Sequence, residues 1–272
     1  MPYFTVNDIN LYYEIKGNPD AEETIILFNG IMSGIGTWTP ILDALEKLNC
    51  KIILHDFKGQ LLSDKPEGPY TLAEHASEAK ALLDFLNIKE FHAVSTSYGG
   101  AVAMRFATDY PESVKTITII NSLSEADEII KLHIKSWRSL ALTKNAHDFF
   151  WSCAPAVYSN TFLEKYKKGI EQKIKEMENI PDDFYFGQLQ LYKTFNNGVG
   201  LTPQLSNIKC PALVVCGEND VITSLKFSKI IANNLPQSEF VVIPDCGHAA
   251  ILEKADTITT LLFGFLTKHF VK

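Results

Sequence analysis

The chain has 272 residues, of which 46% are hydrophobic and 21% are charged, and this composition excludes a disordered or collagen-like protein. Its 25 basic and 32 acidic residues give a net charge of −7, so we expect no nucleic-acid partner, because such surfaces need clustered positive charge. We also predict no membrane span and a cytoplasmic location, because no apolar run reaches roughly 18 residues and the N-terminus lacks signal-peptide features. The length favours one large α/β domain with an insertion.

Eight short apolar runs predict strands, at residues 4–6, 11–15, 24–28, 51–55, 91–95, 116–120, 212–216 and 240–243. Several are continuous apolar runs, which is typical of strands covered on both faces. Segments with helical spacing lie between them, at residues 40–48, 72–86, 99–109, 224–234 and 258–270. This alternation predicts a mostly parallel sheet with right-handed crossovers, and the first two strands should form an antiparallel edge.

The alternation stops between residues 122 and 204, where the pattern is helical and unusually aromatic. Candidate helices there cover residues 125–142, 146–158, 161–177 and 182–195. We predict a core formed by residues 1–121 and 205–272, with residues 122–204 as a helical cap. A ligand should lie between them, at the carboxyl ends of the strands. No individual substrate contact is predicted in the cap, because most of its aromatic side chains should pack in its interior.

Ser97 is the candidate nucleophile. A predicted strand runs directly into a helix at Ser97, and small residues stand two positions before and after it, at Ser95 and Gly99. Such a turn holds its apex residue in a strained conformation with the side chain projecting from the sheet. Ser95 also has small neighbours, but the apolar strand reaches Ser95 and the paired glycines follow Ser97, so we reject it.

A nucleophilic serine needs a base and an orienting acid. His248 follows the last predicted strand and a glycine-containing loop, so it can reach the nucleophile. Asp220 lies four residues beyond the preceding strand and is our choice of acid over Glu218 and Asp245. His55 and His92 are interpreted as structural, whereas the histidines on helical segments are expected to be exposed; these are His75, His133, His147 and His269.

The oxyanion formed during such a reaction needs backbone N–H donors. The candidates are the amides of Ile31, in a glycine-bearing loop after a buried strand, and of Tyr98, at the start of a helix. The glycines of the first loop do not fit G-x-G-x-x-G, and no metal-binding motif such as H-E-x-x-H occurs. We therefore predict no cofactor and no metal. The five cysteines are odd in number and widely spaced, so we predict free buried thiols.

Five pieces of the sequence together resemble the α/β-hydrolase superfamily over essentially the whole chain. They are Asn29-Gly30, the D-x-R-G-x-G-x-S-D-x-P-like segment at residues 56–66, the turn at Ser97, residues 217–220 and Gly247-His248. The resemblance implies an eight-stranded sheet, a lid and a Ser97–Asp220–His248 triad.

The chain departs from the family pattern at four positions. Asn29 replaces the common histidine, Ser95 replaces the first glycine of the turn, and Lys58 and Leu61 replace an arginine and a glycine. In having an asparagine at this position, the chain resembles enol-lactonase-like members of the family. In its turn and lid pattern, it resembles acyltransferase-like members. A serine nucleophile argues against haloalkane dehalogenase chemistry, which uses an aspartate.

The sequence therefore predicts a cofactor-independent serine hydrolase acting through an acyl-enzyme. Its substrate would be a carboxylic ester, a thioester or a lactone of a small apolar molecule. Acyl transfer or carbon–carbon bond hydrolysis on the same triad is an alternative, and so is a ligand-sensing, partner-binding protein that keeps the fold.

Overall fold

The computed structural model describes residues 3–197 and 199–270. Its strands are β1 (Tyr3–Val6), β2 (Ile9–Gly17), β3 (Thr24–Phe28), β4 (Lys51–His55), β5 (Phe91–Thr96), β6 (Val114–Ile120), β7 (Ala212–Gly217) and β8 (Ser238–Ile243). They form one eight-stranded sheet in the order β1-β2-β4-β3-β5-β6-β7-β8. The β1–β2 and β2–β4 pairs are antiparallel, and the remaining pairs are parallel. The predicted mostly parallel sheet with an antiparallel edge is confirmed.

The core helices pack on both faces of this sheet. They are α1 (Thr39–Leu45), α2 (Leu72–Phe85), α3 (Tyr98–Asp109), α8 (Leu225–Asn234), α9 (Ala250–Glu253) and α10 (Ala255–His269). Successive strand residues point to opposite faces, so Ile25 and Leu27 of β3 pack with α1 and α10. Ile26 and Phe28 pack with α2, α3 and α8 on the other face. This two-sided covering explains the continuous apolar runs of the central strands.

Four helices occupy the chain between β6 and β7. They are α4 (Glu128–Thr143), α5 (Ala146–Val157), α6 (Asn160–Glu176) and α7 (Asp182–Tyr192). The first begins three residues later than predicted, because the Asp127 carboxylate accepts the N–H groups of Ile129 and Ile130 and caps the helix. We call residues 122–204 the helical segment, and their assignment as a separate cap stays a prediction.

All five cysteines are free. Four are buried, as expected, whereas Cys210 is half-buried, so the expectation of five buried thiols was wrong at one position. Burial raises the pKa of Cys153 to about 12 and that of Cys50 to about 11, which keeps both thiols protonated and unreactive at neutral pH. Within residues 3–197 and 199–270, no helix combines the length and apolarity needed to cross a membrane.

Candidate active site

Ser97 stands at the junction of β5 and α3 in a strained backbone conformation. Its φ is 52° and its ψ is −123°, a combination that non-glycine residues rarely adopt. Gly99 makes the junction possible, because a Cβ at that position would lie 2.1 Å from the carbonyl oxygen of Phe28. The helix therefore packs directly on the end of β3, and Ser97 projects into the cavity above the sheet.

Ser95, the alternative serine, faces elsewhere. Its side chain is fully buried, and its hydroxyl donates to the carbonyl oxygen of Thr118 on the neighbouring strand at 2.6 Å. The Ser95 hydroxyl is thus used within the sheet, and the choice of Ser97 as nucleophile stays a prediction.

Ser97, His248 and Asp220 form one hydrogen-bonded chain. The Ser97 Oγ lies 2.9 Å from His248 Nε2, and His248 Nδ1 lies 2.8 Å from Asp220 Oδ2. A carboxylate accepts hydrogen bonds only, so the neutral imidazole carries its proton on Nδ1. That tautomer leaves the Nε2 lone pair facing the serine hydroxyl, which is the arrangement needed to take its proton.

The Asp220 carboxylate is almost completely buried but is well supplied with donors. Oδ1 accepts the N–H groups of Ile222 and Thr223, and Oδ2 accepts the Thr223 hydroxyl at 2.8 Å. Burial acts to raise the pKa of Asp220, but the adjacent His248 and these hydrogen bonds outweigh it, so the pKa lies below its usual value. Asp220 therefore remains ionised beneath the imidazole at neutral pH.

The two alternative acids lie in the same loops but bind other groups. Glu218 Oε2 accepts the N–H of Asp245 at 3.0 Å, and Asp245 forms an ion pair with Lys254 at 3.7 Å. Both side chains therefore stabilise the turn that precedes His248, and the imidazole bonds to Asp220.

Asn121 holds the loop that carries His248. Its side-chain amide donates to the carbonyl oxygens of Gly247, at 3.0 Å, and His248, at 2.8 Å. Its Oδ1 accepts the N–H of Gly217 at 2.7 Å. Sequence reasoning missed Asn121 and Thr223. Asn121 follows β6 directly at the carboxyl edge of the sheet, and this position was the one available signal for its role.

The same loop is bound to the helical segment. The Glu253 carboxylate accepts the N–H of Gly247 on one oxygen, at 3.0 Å, and the N–H of Ser159 on the other, at 3.1 Å. The N–H of Ala249 donates to the carbonyl oxygen of Val157 at 3.0 Å. Two hydrogen bonds thus cross to the junction between α5 and α6, from Glu253 and from Ala249, and the third binds Glu253 to the loop around His248.

The loop after β3 lies beside the nucleophile. A Cβ on Gly30 would stand 3.5 Å from the Ser97 Cβ, and both Ile31 and Tyr98 line the same cavity as Ser97. Tyr98 is the first residue of α3, and the first N–H groups of a helix have no partner within the helix. The Asn29 side chain braces the loop, because its amide donates to the carbonyl oxygen of His55 and its Oδ1 accepts the Trp38 indole N–H, both at 2.7 Å.

A cavity of about 780 Å³ opens above Ser97 and His248. Its wall is mostly apolar and comes from both the core and the helical segment. Six aromatic residues of the helical segment contribute to it: Trp137, Phe150, Tyr158, Phe162, Tyr166 and Phe195. Other aromatic residues of the segment pack in its interior instead, including Phe149, Phe184, Tyr185 and Tyr192. The location of the cavity agrees with the expected ligand position.

The remaining histidines lie elsewhere. His55 and His92, which we interpreted as structural, are buried. The expectation of exposure was wrong for His75, which is fully buried against Phe57 and Tyr98, and His133 and His269 are half-buried. In the described part of the chain, no three His, Cys, Asp or Glu side chains come together as metal ligands would, and the expectation of a metal-free, cofactor-free site stays a prediction.

The model of the α/β hydrolase fold family matches residues 23–255 of this chain. The chain belongs to the α/β-hydrolase fold family. The predicted fold class and the prediction of a hydrolase enzyme are therefore confirmed. The family match extends across the strands and loops that carry Ser97, Asp220 and His248.

Several known proteins are similar to this chain over most of its length. An α/β-hydrolase enzyme from a Medee basin deep-sea metagenome library shares 28% identity, with a TM-score of 0.93, and the match covers 99% of this chain and 98% of that one. The "Putative carbamate hydrolase RutD" of Azorhizobium caulinodans is 24% identical, over 97% of this chain and 98% of its own length. A poly(3-hydroxyalkanoate) depolymerase of Ectopseudomonas oleovorans is 24% identical, over 90% and 84% respectively.

Proposed function

We propose that the chain hydrolyses a carboxylic ester, thioester or lactone with an apolar acyl group, through an acyl-enzyme on Ser97. The observation that carries this proposal is the hydrogen-bonded chain from Ser97 through His248 to Asp220, at 2.9 Å and 2.8 Å, opening on an apolar cavity. In this role Ser97 is the nucleophile, His248 the general base and Asp220 the group that orients the imidazole.

The reaction follows from these positions. Ser97 Oγ attacks the substrate carbonyl carbon while His248 Nε2 takes the serine proton. The N–H groups of Ile31 and Tyr98 bind the negative oxygen of the tetrahedral intermediate. His248 then gives its proton to the leaving group, and a water molecule activated by the same imidazole releases the acyl group from Ser97. The ionised Asp220 stabilises the imidazolium that forms in each half of the reaction.

The cavity supports an apolar substrate. Pockets of about 300–1,000 Å³ hold drug-sized ligands, and this one, of about 780 Å³, has six aromatic residues of the helical segment in its wall. The similar proteins are named for a carbamate and for a polyester of hydroxyalkanoates. Carbamate has only a few heavy atoms and a charge, so the polyester units are the better match to this space. We propose that residues 122–204 form the cap over this substrate.

Labelling with a fluorophosphonate probe tests the proposal. We expect the unsubstituted chain to be labelled at Ser97 by peptide mapping, and Ser97→Ala to lose the label. Ser95→Ala is the matched control, because that hydroxyl is bound within the sheet, and it should keep the label. Labelling at another residue, or none, would contradict the assignment of Ser97 as the nucleophile.

A series of p-nitrophenyl esters then tests the substrate class. We expect kcat/KM to rise by roughly fourfold for each methylene added to the acyl chain until the cavity is filled, because each methylene is buried against an apolar wall. The protein should not accelerate the breakdown of carbamate above its spontaneous rate. Adding a primary alcohol and measuring ester products separates hydrolysis from acyl transfer.

A further inference from the structure

The peptide groups on either side of Ile31 are each held by a buried glutamine. Gln60 Nε2 donates to the carbonyl oxygen of Gly30 at 2.7 Å, and Gln188 Nε2 donates to the carbonyl oxygen of Ile31 at 3.1 Å. Gln60 is 0% exposed and Gln188 is 1% exposed. Gln60 belongs to the loop after β4, whereas Gln188 belongs to α7 of the helical segment, so the two amides come from different parts of the chain.

Because the peptide bond is planar, the Gln60 contact to the Gly30 carbonyl also determines the direction of the Ile31 N–H. In a trans peptide the C=O of one residue and the N–H of the next point in opposite directions. The Gly30 C=O points to Gln60, which is not among the described residues of the cavity wall. The N–H of Ile31 therefore points away from Gln60, and Gly30 and Ile31 both line the cavity into which Ser97 projects.

The Gln60 amide cannot turn freely. Its Oε1 accepts the N–H of Phe57 at 2.9 Å and the side-chain amide of Asn29 at 3.2 Å. With the oxygen fixed on that side, the NH₂ group is directed at the Gly30 carbonyl oxygen, which also accepts the Ser33 hydroxyl at 3.0 Å. These hydrogen bonds fix the orientation of the Gln60 amide, whereas the buried Oε1 of Gln188 has no hydrogen-bond partner among the described residues.

We propose that Gln60 and Gln188 are positioning residues that aim the Ile31 N–H at the oxyanion formed on Ser97. The inference rests on the proposed function. When Ser97 Oγ bonds to the carbonyl carbon, the π electron pair of the carbonyl moves to its oxygen and the serine proton moves to His248. The Ile31 N–H gains strength as a donor to that oxygen only as this charge develops, so the two glutamines act on the transition state and leave substrate binding unchanged.

The variants Gln60→Met and Gln188→Met test this, because each keeps the side-chain length and removes the amide. Gln190→Met is the matched control: Gln190 is a buried glutamine on the same helix, and its amide oxygen accepts the N–H of Gly68 at 3.0 Å. The readouts are kcat and KM for p-nitrophenyl butyrate, and Ki for a trifluoromethyl ketone, which forms a tetrahedral oxyanion adduct with an activated serine.

We expect kcat of Gln60→Met to fall by about 10- to 100-fold, less than the loss of a whole oxyanion donor, with KM within about threefold of the unsubstituted chain. Ki for the ketone should rise by the same factor as kcat falls. Gln188→Met should show the same pattern with a smaller effect, about 3- to 10-fold, because its hydrogen bond is longer. Gln190→Met should change kcat and Ki by less than about twofold.

Two results would overturn the proposal. One is a folded Gln60→Met protein, by circular dichroism, whose kcat and Ki stay within about twofold of the unsubstituted values. If Gln60→Met does not fold, the same result in Gln188→Met overturns it. The other is an unsubstituted chain that is not labelled at Ser97 by fluorophosphonate, which overturns the proposed function together with this inference. Labelling at Ser97 with unchanged glutamine variants overturns this inference alone.

Discussion

The polar side chains around His248 have different roles, and the hydrogen-bond partner of each side chain shows which role it has. Asp220 holds the imidazole, Thr223 completes the hydrogen bonding of Asp220, and Asn121 holds the backbone on which His248 sits. Each of these side chains is nearly or completely buried. A buried carboxylate that loses its partner, or an imidazole that loses its carboxylate, has no solvent to replace the missing interaction.

Asp220→Asn tests the choice of acid at this scale. The amide removes the charge and favours the wrong imidazole tautomer, so we expect kcat for a p-nitrophenyl ester to fall by about 10⁴-fold. Asp245→Asn is the control, because Asp245 pairs with Lys254 outside the site, and its kcat should stay within about twofold of the unsubstituted value. An active Asp220→Asn beside an inactive Asp245→Asn would transfer the role of the acid to Asp245.

The junction of β5 and α3 is the element whose geometry decides the position of Ser97. A strand, one strained residue and a helix follow one another without a linker, and the close approach of Phe28 to Gly99 leaves no room for a side chain. Constraint at the ends of both elements keeps Ser97 at a positive φ that it would not adopt alone.

Gly99→Ala should therefore disrupt this junction. We expect a loss of about 2–3 kcal/mol in the free energy of unfolding, measured with urea, together with loss of esterase activity, because the backbone must move to relieve the overlap. Gly264→Ala in α10 is the matched substitution, since a Cβ there meets open space. It should raise the free energy of unfolding by up to about 1 kcal/mol and leave activity unchanged. Equal stability of the two variants would contradict the steric argument.

The sequence allowed some elements of this site to be predicted and not others. The turn at Ser97 was predictable because the residues it requires are adjacent in sequence. A strand must precede it, and a residue as small as Gly99 must follow it. Gln60 and Gln188 were not predictable, because their partners in the loop after β3 lie 30 and 157 residues away along the chain. An amide side chain has no periodic pattern, so only the fold reveals which carbonyl it meets. The start of α4 was misplaced for a local reason, because Asp127 caps it.

At the scale of the whole molecule, three buried histidines make stability depend on pH. Burial lowers the pKa of His75 and His92 below the ordinary value. Burial and nearby His75 lower the pKa of His55 from 6.5 to about 4. These groups stay neutral in the folded protein at pH values at which the unfolded chain binds protons. Their contribution to the free energy of unfolding is therefore fully present above about pH 6.5. It is lost as the pH falls toward the pKa values of these histidines in the folded protein.

His55→Leu isolates one of these groups. Between about pH 7.5 and about pH 5, protonation of His55 in the unfolded chain should lower the free energy of unfolding by about 2 kcal/mol. The variant should show a drop smaller by that amount in urea titrations at the two pH values. His147→Leu serves as control, because the His147 side chain is 62% exposed, and its drop should equal that of the unsubstituted chain. Equal drops in both variants would show that His55 is protonated in the folded protein.

Hydrogen bonds bind the loop that carries His248 to the junction between α5 and α6. Gly247 and Ala249 flank His248, and they are bound to this junction through Glu253 and Val157. The position of the imidazole beside Ser97 and the packing of the α5–α6 junction therefore depend on shared hydrogen bonds.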